Sequence, residues 1–108
     1  MEFINHIELA GVVGRVRKQQ IADRMVVNFS LVTEEYHKDD SGCAVVETTW
    51  HNVVAWQNAD MPELDSIERG SHLNVRGRLR ARRYTDANGT SPILYEVVAA
   101  SVRLLPND

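Results

Sequence analysis

Cysteine is nearly absent. Cys43 stands alone in 108 residues, which excludes an internal disulfide and a four-cysteine metal site. No apolar run reaches the roughly 18 residues that a membrane helix needs. The opening residues, MEFINHIELAG, carry an acid at position 2 and no basic stretch ahead of their apolar part, unlike a secretory leader. Cytoplasmic residence is therefore the default expectation. His6, His37, His51 and His72 are scattered and form no ligand-spaced motif, so no metal is expected. The stretch GVVG lacks the spacing and the lysine of a phosphate loop, and no serine stands in a nucleophile elbow. Acidic pairs fall only in loops and at the end of a strand. No cofactor and no catalysis are expected.

What is present is a soluble-domain composition, 44% apolar, sufficient for one domain over residues 1–108 with one modest core. The formal charge is -3, which by itself points away from nucleic acid, but the charge is segregated. From Arg69 to Arg83 inclusive there are six arginines and no acid. The acids gather elsewhere: Glu34, Glu35, Asp39 and Asp40, then Asp60, Glu63, Asp65 and Glu68. Within VRGRLRARRYTD, residues 75–86, Arg76, Arg78, Arg80 and Arg82 occupy every second position.

Periodicity predicts five strands. Residues 3–16 read as the first, with Gly11 and Gly14 marking a bulge or bend, and the polar residues 17–24 as a loop. Residues 25–35 alternate from Val27 and read as the second strand. Residues 37–43 form a polar loop with Gly42 supplying a turn. The β-branched and aromatic residues 44–57 read as the third strand. Residues 60–68 read as the one helix, capped by Asp60, with Pro62 in its first turn, a Leu64–Ile67 stripe, and Gly70 to end it. Residues 72–84 alternate as the fourth strand, Leu73, Val75, Gly77, Leu79 and Ala81 facing one way and the arginines the other. Asp86–Gly89 is a strong turn signal, and the fifth strand runs from Ile93 to Leu104. Five bent strands with a short helix between the third and fourth predict an all-β, five-stranded OB-fold barrel.

A positive groove and exposed rings are what single-stranded nucleic acid requires. The arginine ridge supplies the first, extended by Arg15, Arg17 and Lys18. Tyr36, Trp50, Trp56 and Tyr84 are candidates for the second, while Phe3 and Phe29 are assigned to packing. Trp50 and Trp56, six residues apart, fall on one face with Thr48, Asn52 and Val54.

The sequence resembles the bacterial single-stranded DNA-binding protein family. The resemblance runs through NHIELAGVVGRV, FSLVTEEY, TTWHNVVAWQ, IERGSHLNVRGRLRARRYTDANG and YEVV, nearly the whole chain. It implies base stacking by Tyr36, Trp50, Trp56 and Tyr84, two of them tyrosine where tryptophan is familiar. It implies contacts to DNA phosphates and bases from Arg15, Arg17, Arg76, Arg78, Arg80, Arg82 and Arg83. It also implies a subunit contact built from Ile4, His6, Glu8 and His51. The expected partners are single-stranded DNA and copies of the same chain, a homotetramer or else a dimer, with no membrane.

Three features depart from the pattern. The sequence ends at LLPND without the family's flexible linker and acidic tip, so tail-mediated recruitment is not expected. The loop after the first strand lacks the usual proline-containing stretch, and acids flank Tyr36. Two alternatives stay open. One is a replication-restart factor resembling primosomal replication protein B. The other is an OB-fold protein-interaction module, in which Trp50 and Trp56 would be covered and the arginines paired with acids.

Overall fold

The computed structural model describes residues 1–59 and 61–106. Five strands, β1 (Ile7–Ile21), β2 (Arg24–Lys38), β3 (Ala44–Trp56), β4 (His72–Arg83) and β5 (Ile93–Leu105), close into a barrel of order β1-β2-β3-β5-β4. Every pairing is antiparallel except β3 with β5, which is parallel. This is the expected all-β OB-type barrel. No helix among the described residues is long and apolar enough to cross a membrane.

The alternation read in the sequence becomes an inside and an outside. Val27, Phe29 and Leu31 of β2, Val53 and Ala55 of β3, Leu73 and Val75 of β4, and Val97 and Val102 of β5 fill the interior. Each buried Val, Leu or Phe among them contributes about 1.5–3 kcal/mol relative to exposure. One end of the barrel is plugged by Met61, Leu64 and Ile67, all buried. The plug is tied to β3 by Gln57: its Oε1 accepts from Leu64 N–H at 2.8 Å and its Nε2 donates to the Pro62 carbonyl at 2.9 Å.

Closure depends on two irregularities. The register of β1 on β2 shifts between Val13 and Val16, a bulge containing Gly14, as the glycine pattern predicts. A second shift, opposite Arg76 and Gly77, lies in β5. A Cβ at Gly77 would lie 2.0 Å from the Val98 carbonyl oxygen, so only glycine permits the strands to approach there.

Three expectations are corrected. The helix over 60–68 is a single 3-10 turn, Leu64–Ser66. So short a segment cannot repay helix nucleation, and burial of Leu64 and Ile67 decides its shape instead. Its proposed cap, Asp60, lies outside the described residues. The loop over 17–24 is largely strand: the β1–β2 ladder continues to Ile21 opposite Arg24, and only Ala22 and Asp23 turn. Ala22 takes φ 55°, a left-handed turn position without the glycine that would have signalled it. Phe3 does not pack; it is 89% exposed, ahead of the first strand residue. The hairpin signal at Asp86–Gly89 holds: Gly89 N–H donates to the Asp86 carbonyl at 3.1 Å and Gly89 has φ 79°.

Candidate nucleic-acid interface

The outer face of β1, β2 and β3 is built by pairing. Trp50 stands opposite Val32, Asn52 opposite Ser30, Val54 opposite Asn28 and Trp56 opposite Val26, without a register break. Cross-strand partners point the same way, so Trp50 and Trp56 share the outer face, as their spacing predicts. Tyr36, opposite Val46, shares it too. Tyr36 is 73% exposed and its hydroxyl donates to Glu34 at 3.2 Å.

The β1 bulge positions Trp50. A Cβ at Gly14 would fall 2.6 Å from Trp50 Cζ3 and 2.8 Å from Ser30 Oγ. The indole therefore lies across the bare backbone of Gly14, with 58% of the residue still exposed. The bulge also takes the Arg15 N–H out of the ladder, and it donates to Ser30 Oγ at 2.8 Å. The result is an aromatic platform backed by main chain and open on its outer side.

A groove runs beside this platform. Gly14, Arg15, Ser30, Trp50, Asn52 and Arg69 line its near end. It continues along Arg17 and Asn28 to Arg82, Leu94 and Glu96 on the β4–β5 hairpin. Among the described residues Arg15, Arg17 and Arg69 have no acidic partner. Three unopposed guanidinium groups, hydrogen-bonding side chains and an indole thus border one channel.

In the sequence Arg69 reads only as part of the basic run, with no pattern that marks it as a site residue. Gly70 N–H donates to the Val13 carbonyl at 2.9 Å, and Val13 N–H donates to the Ser71 carbonyl at 2.9 Å. These bonds bring the β3–β4 connection against the β1 bulge and carry Arg69 to the groove. Asn28, Ser30 and Asn52 carry no site signal in the sequence either; as the polar half of an alternating strand they look like any solvated face.

The arginine ridge behaves differently. Alternation holds along β4, and Arg76, Arg78, Arg80 and Arg82 share the outer face. Two acids compensate half of their charge. Arg76 Nε donates to Glu8 Oε2 at 3.0 Å, and Asn74 donates to the same oxygen at 3.0 Å. Those hydrogen bonds and the Arg76 charge hold the Glu8 carboxyl below its ordinary pKa. Arg80 hydrogen-bonds Glu96, which is 5% exposed, and Arg82 forms an ion pair with the same carboxylate. Arg78 has no acidic partner among the described residues, but with Arg76 it borders a shallow depression beside Asn5 and His6. Only Arg82 of the four joins the groove beside Trp50. Arg83 pairs with Ile93 on the opposite face and donates to the Ser91 carbonyl at 3.1 Å. Lys18 is taken by Asp65, at 3.6 Å.

The remaining rings divide. Tyr84 follows β4, is exposed, and closes the hairpin through its N–H to the Pro92 carbonyl at 3.3 Å. Trp56 is partly buried, and the Arg24 guanidinium sits 5.2 Å from its ring centroid, covering one face. Of the four residues assigned to a subunit contact, Ile4 and His6 are exposed ahead of β1, and Glu8 is engaged by Arg76. His51 stands apart, opposite Leu31 on β3, with Nε2 2.9 Å from the Thr33 hydroxyl; burial pushes its pKa down.

Known proteins share this architecture. Residues 4–105 match the Single-strand binding protein family. Single-stranded DNA-binding protein 1 of Chlorobaculum tepidum is 30% identical over 94% of this chain and 65% of its own length. The single-stranded DNA-binding protein of Neisseria meningitidis is 29% identical over 94% of this chain and 60% of its own. The chain thus spans somewhat under two thirds of these relatives' lengths. An SSB of Plasmodium falciparum, solved in complex with ssDNA, overlays with a TM-score of 0.81 at 22% identity, covering 98% of each chain. A single-stranded DNA-binding protein of Thermus aquaticus overlays with a TM-score of 0.78 at 20% identity, covering 95% of this chain and 51% of the other. With a match that runs almost from end to end, over the same barrel that the strand periodicity predicts, the chain belongs to the single-strand binding protein family.

Proposed function

We propose that the protein binds single-stranded DNA without sequence preference, in the cytoplasm, and protects it during replication, recombination or repair. The observation that carries this is the groove in which Arg15, Arg17 and Arg69, all without acidic partners among the described residues, run beside the exposed face of Trp50. Phosphates attract unopposed guanidinium groups, and every base offers a π-face to an open indole. There is no reaction: the strand is held by charge and stacking. Trp50, Tyr36, Tyr84 and Trp56 are the stacking positions, Trp56 being the least open of them. Arg15, Arg17, Arg69 and Arg82 hold phosphates in the groove, and Arg76, Arg78 and Arg80 extend the positive surface around the barrel. Arg83 reaches DNA only from the other face of the hairpin.

Assembly into a homotetramer is part of the proposal. Phe3 and Ile4 expose large apolar side chains ahead of β1, a surface that a second copy would cover, with His6, Glu8 and His51 as further contacts. An interaction module would cover Trp50 and Trp56 and pair the arginines. The partial burial of Trp56 and the pairing of Arg76, Arg80 and Arg82 fit that alternative, but the exposure of Trp50 and the freedom of Arg15, Arg17 and Arg69 do not.

Titration of tryptophan fluorescence with oligo-dT at low and moderate salt tests the reading. Strong quenching that weakens as salt rises is expected, because phosphate contacts release counterions. No response at micromolar protein, with the oligomer intact by light scattering, overturns it.

A further inference from the structure

Glu96 is the one buried charged residue among the described residues, and the only acid lining the groove. It has a reason to be there. Its Oε1 accepts from Arg80 Nε at 3.1 Å, from a terminal nitrogen of Arg80, and lies 3.3 Å from Arg82 Nε. One carboxylate oxygen thus gathers the inner edges of two guanidinium groups. A guanidinium carries five N–H donors in a fixed fork, so the outer edges of both remain available. A carboxylate and a phosphate present equivalent oxygens to such a fork.

We propose that Glu96 is a built-in counter-charge of the DNA groove: it occupies Arg80 and Arg82 as a phosphate would, orients their free edges, and holds the affinity for single strands down. This rests on the DNA-binding reading and adds a control to it. Arg80 and Arg82 carry two positive charges and Glu96 removes one of them, so an incoming phosphate meets one net charge where the sequence shows two. The strand is then gripped mainly by Arg15, Arg17 and Arg69 and is held more loosely at the hairpin. A protein that coats single strands must also give them up, and a compensated pair of arginines allows release without losing the arginines' geometry.

The test compares the wild type and Glu96→Gln by oligo-dT titration across a salt series, with circular dichroism to verify the barrel. Glutamine keeps one oxygen for the arginines, removes the charge and replaces the other oxygen with an amide donor. One added phosphate contact on a single strand steepens the log affinity against log salt slope by about 0.7, which corresponds to about fivefold tighter binding per decade of salt lowered. An unchanged or shallower slope in a folded Glu96→Gln protein overturns the inference and leaves DNA binding standing. Absence of binding by the wild type overturns the DNA-binding reading itself, and this inference with it. A second pair of variants leaves Glu96 in place. Arg82→Gln is expected to flatten the slope less than Arg15→Gln, because Arg82 is already half neutralised, and equal flattening counts against the inference. In the Glu96→Gln background Arg82→Gln is expected to match Arg15→Gln, a coupling that a merely structural role for Glu96 would not produce.

Discussion

The β1–β3 face and the β4–β5 hairpin carry arginines in contrasting ways. On the β1–β3 face the cations are sparse, Arg15 and Arg17 with Arg69 arriving from a loop, and none has an acidic partner among the described residues. On the hairpin they are dense, yet Glu8 takes Arg76 and Glu96 is shared by Arg80 and Arg82, so that of the four outward arginines only Arg78 has no acidic partner among the described residues. The lesson is that formal charge in a segment is not charge offered to a ligand. A partner supplied from another strand cancels it, and a pattern along one strand does not show such a partner.

The hairpin also differs from the barrel in packing, and the largest expected effect breaks that comparison. Leu73 and Leu79 lie on the same side of β4, one sealed in the core and the other exposed. Leu73→Ala is expected to destabilise the protein by about 2–5 kcal/mol, and Leu79→Ala by a small fraction of that. Urea unfolding of the two variants measures the difference. Equal losses would mean that the hairpin face is covered in solution.

Next comes the aromatic platform. Trp50→Ala is expected to cost about 1–3 kcal/mol of oligo-dT affinity with little loss of stability, because its outer side packs against nothing. Gly14→Ala is expected to weaken binding as well, since a methyl group would displace the indole from its main-chain bed. Fluorescence anisotropy with labelled oligo-dT reads both. Full affinity in Gly14→Ala would detach Trp50's placement from its function.

The charge comparison is sharpened by salt. Arg17→Gln is expected to flatten the slope of log affinity against log salt by about 0.7, and Arg76→Gln by clearly less, because Glu8 already neutralises Arg76. Equal slopes would show that Glu8 yields Arg76 when DNA arrives.

The smallest effect concerns pH. Burial lowers the pKa of His51, so on acidification the unfolded chain takes up a proton at this position before the folded one does. Stability contributed by neutral His51 is present above the unfolded value of about 6.5 and falls as pH drops below it. His51→Gln is expected to flatten thermal stability between about pH 6.5 and the folded His51 value, leaving the fall in the carboxylate range where Glu8, Asp39 and Asp86 protonate. Thermal melts across this range check it.

Much of this was legible from order along the chain. Alternation of Val27, Phe29 and Leu31, the arginines opposite Leu73 and Val75, and the Asp86–Gly89 turn each report a local rule of strand or turn, and each holds in the barrel. The extension of β1 to Ile21 was hidden because its outward residues are polar and its turn residue Ala22 is no turn former. The helix signal at 60–68 was overruled because plugging the barrel with Leu64 and Ile67 outweighs propensity in so short a segment.

What the amino-acid sequence by itself determined is the set of strands, their inner and outer faces, the family, and the cationic and aromatic residue types available to the groove. These follow from periodicities of two and from turn chemistry, which act between near neighbours. Tertiary structure alone decided which arginines are free. Glu8 lies 68 residues from Arg76, and Glu96 lies 16 residues from Arg80. The same long-range closure seated Trp50 on Gly14 and brought Arg69 to the β1 bulge. Electrostatic pairing and groove formation depend on distance in space, and distance in space is set by the register of a closed barrel.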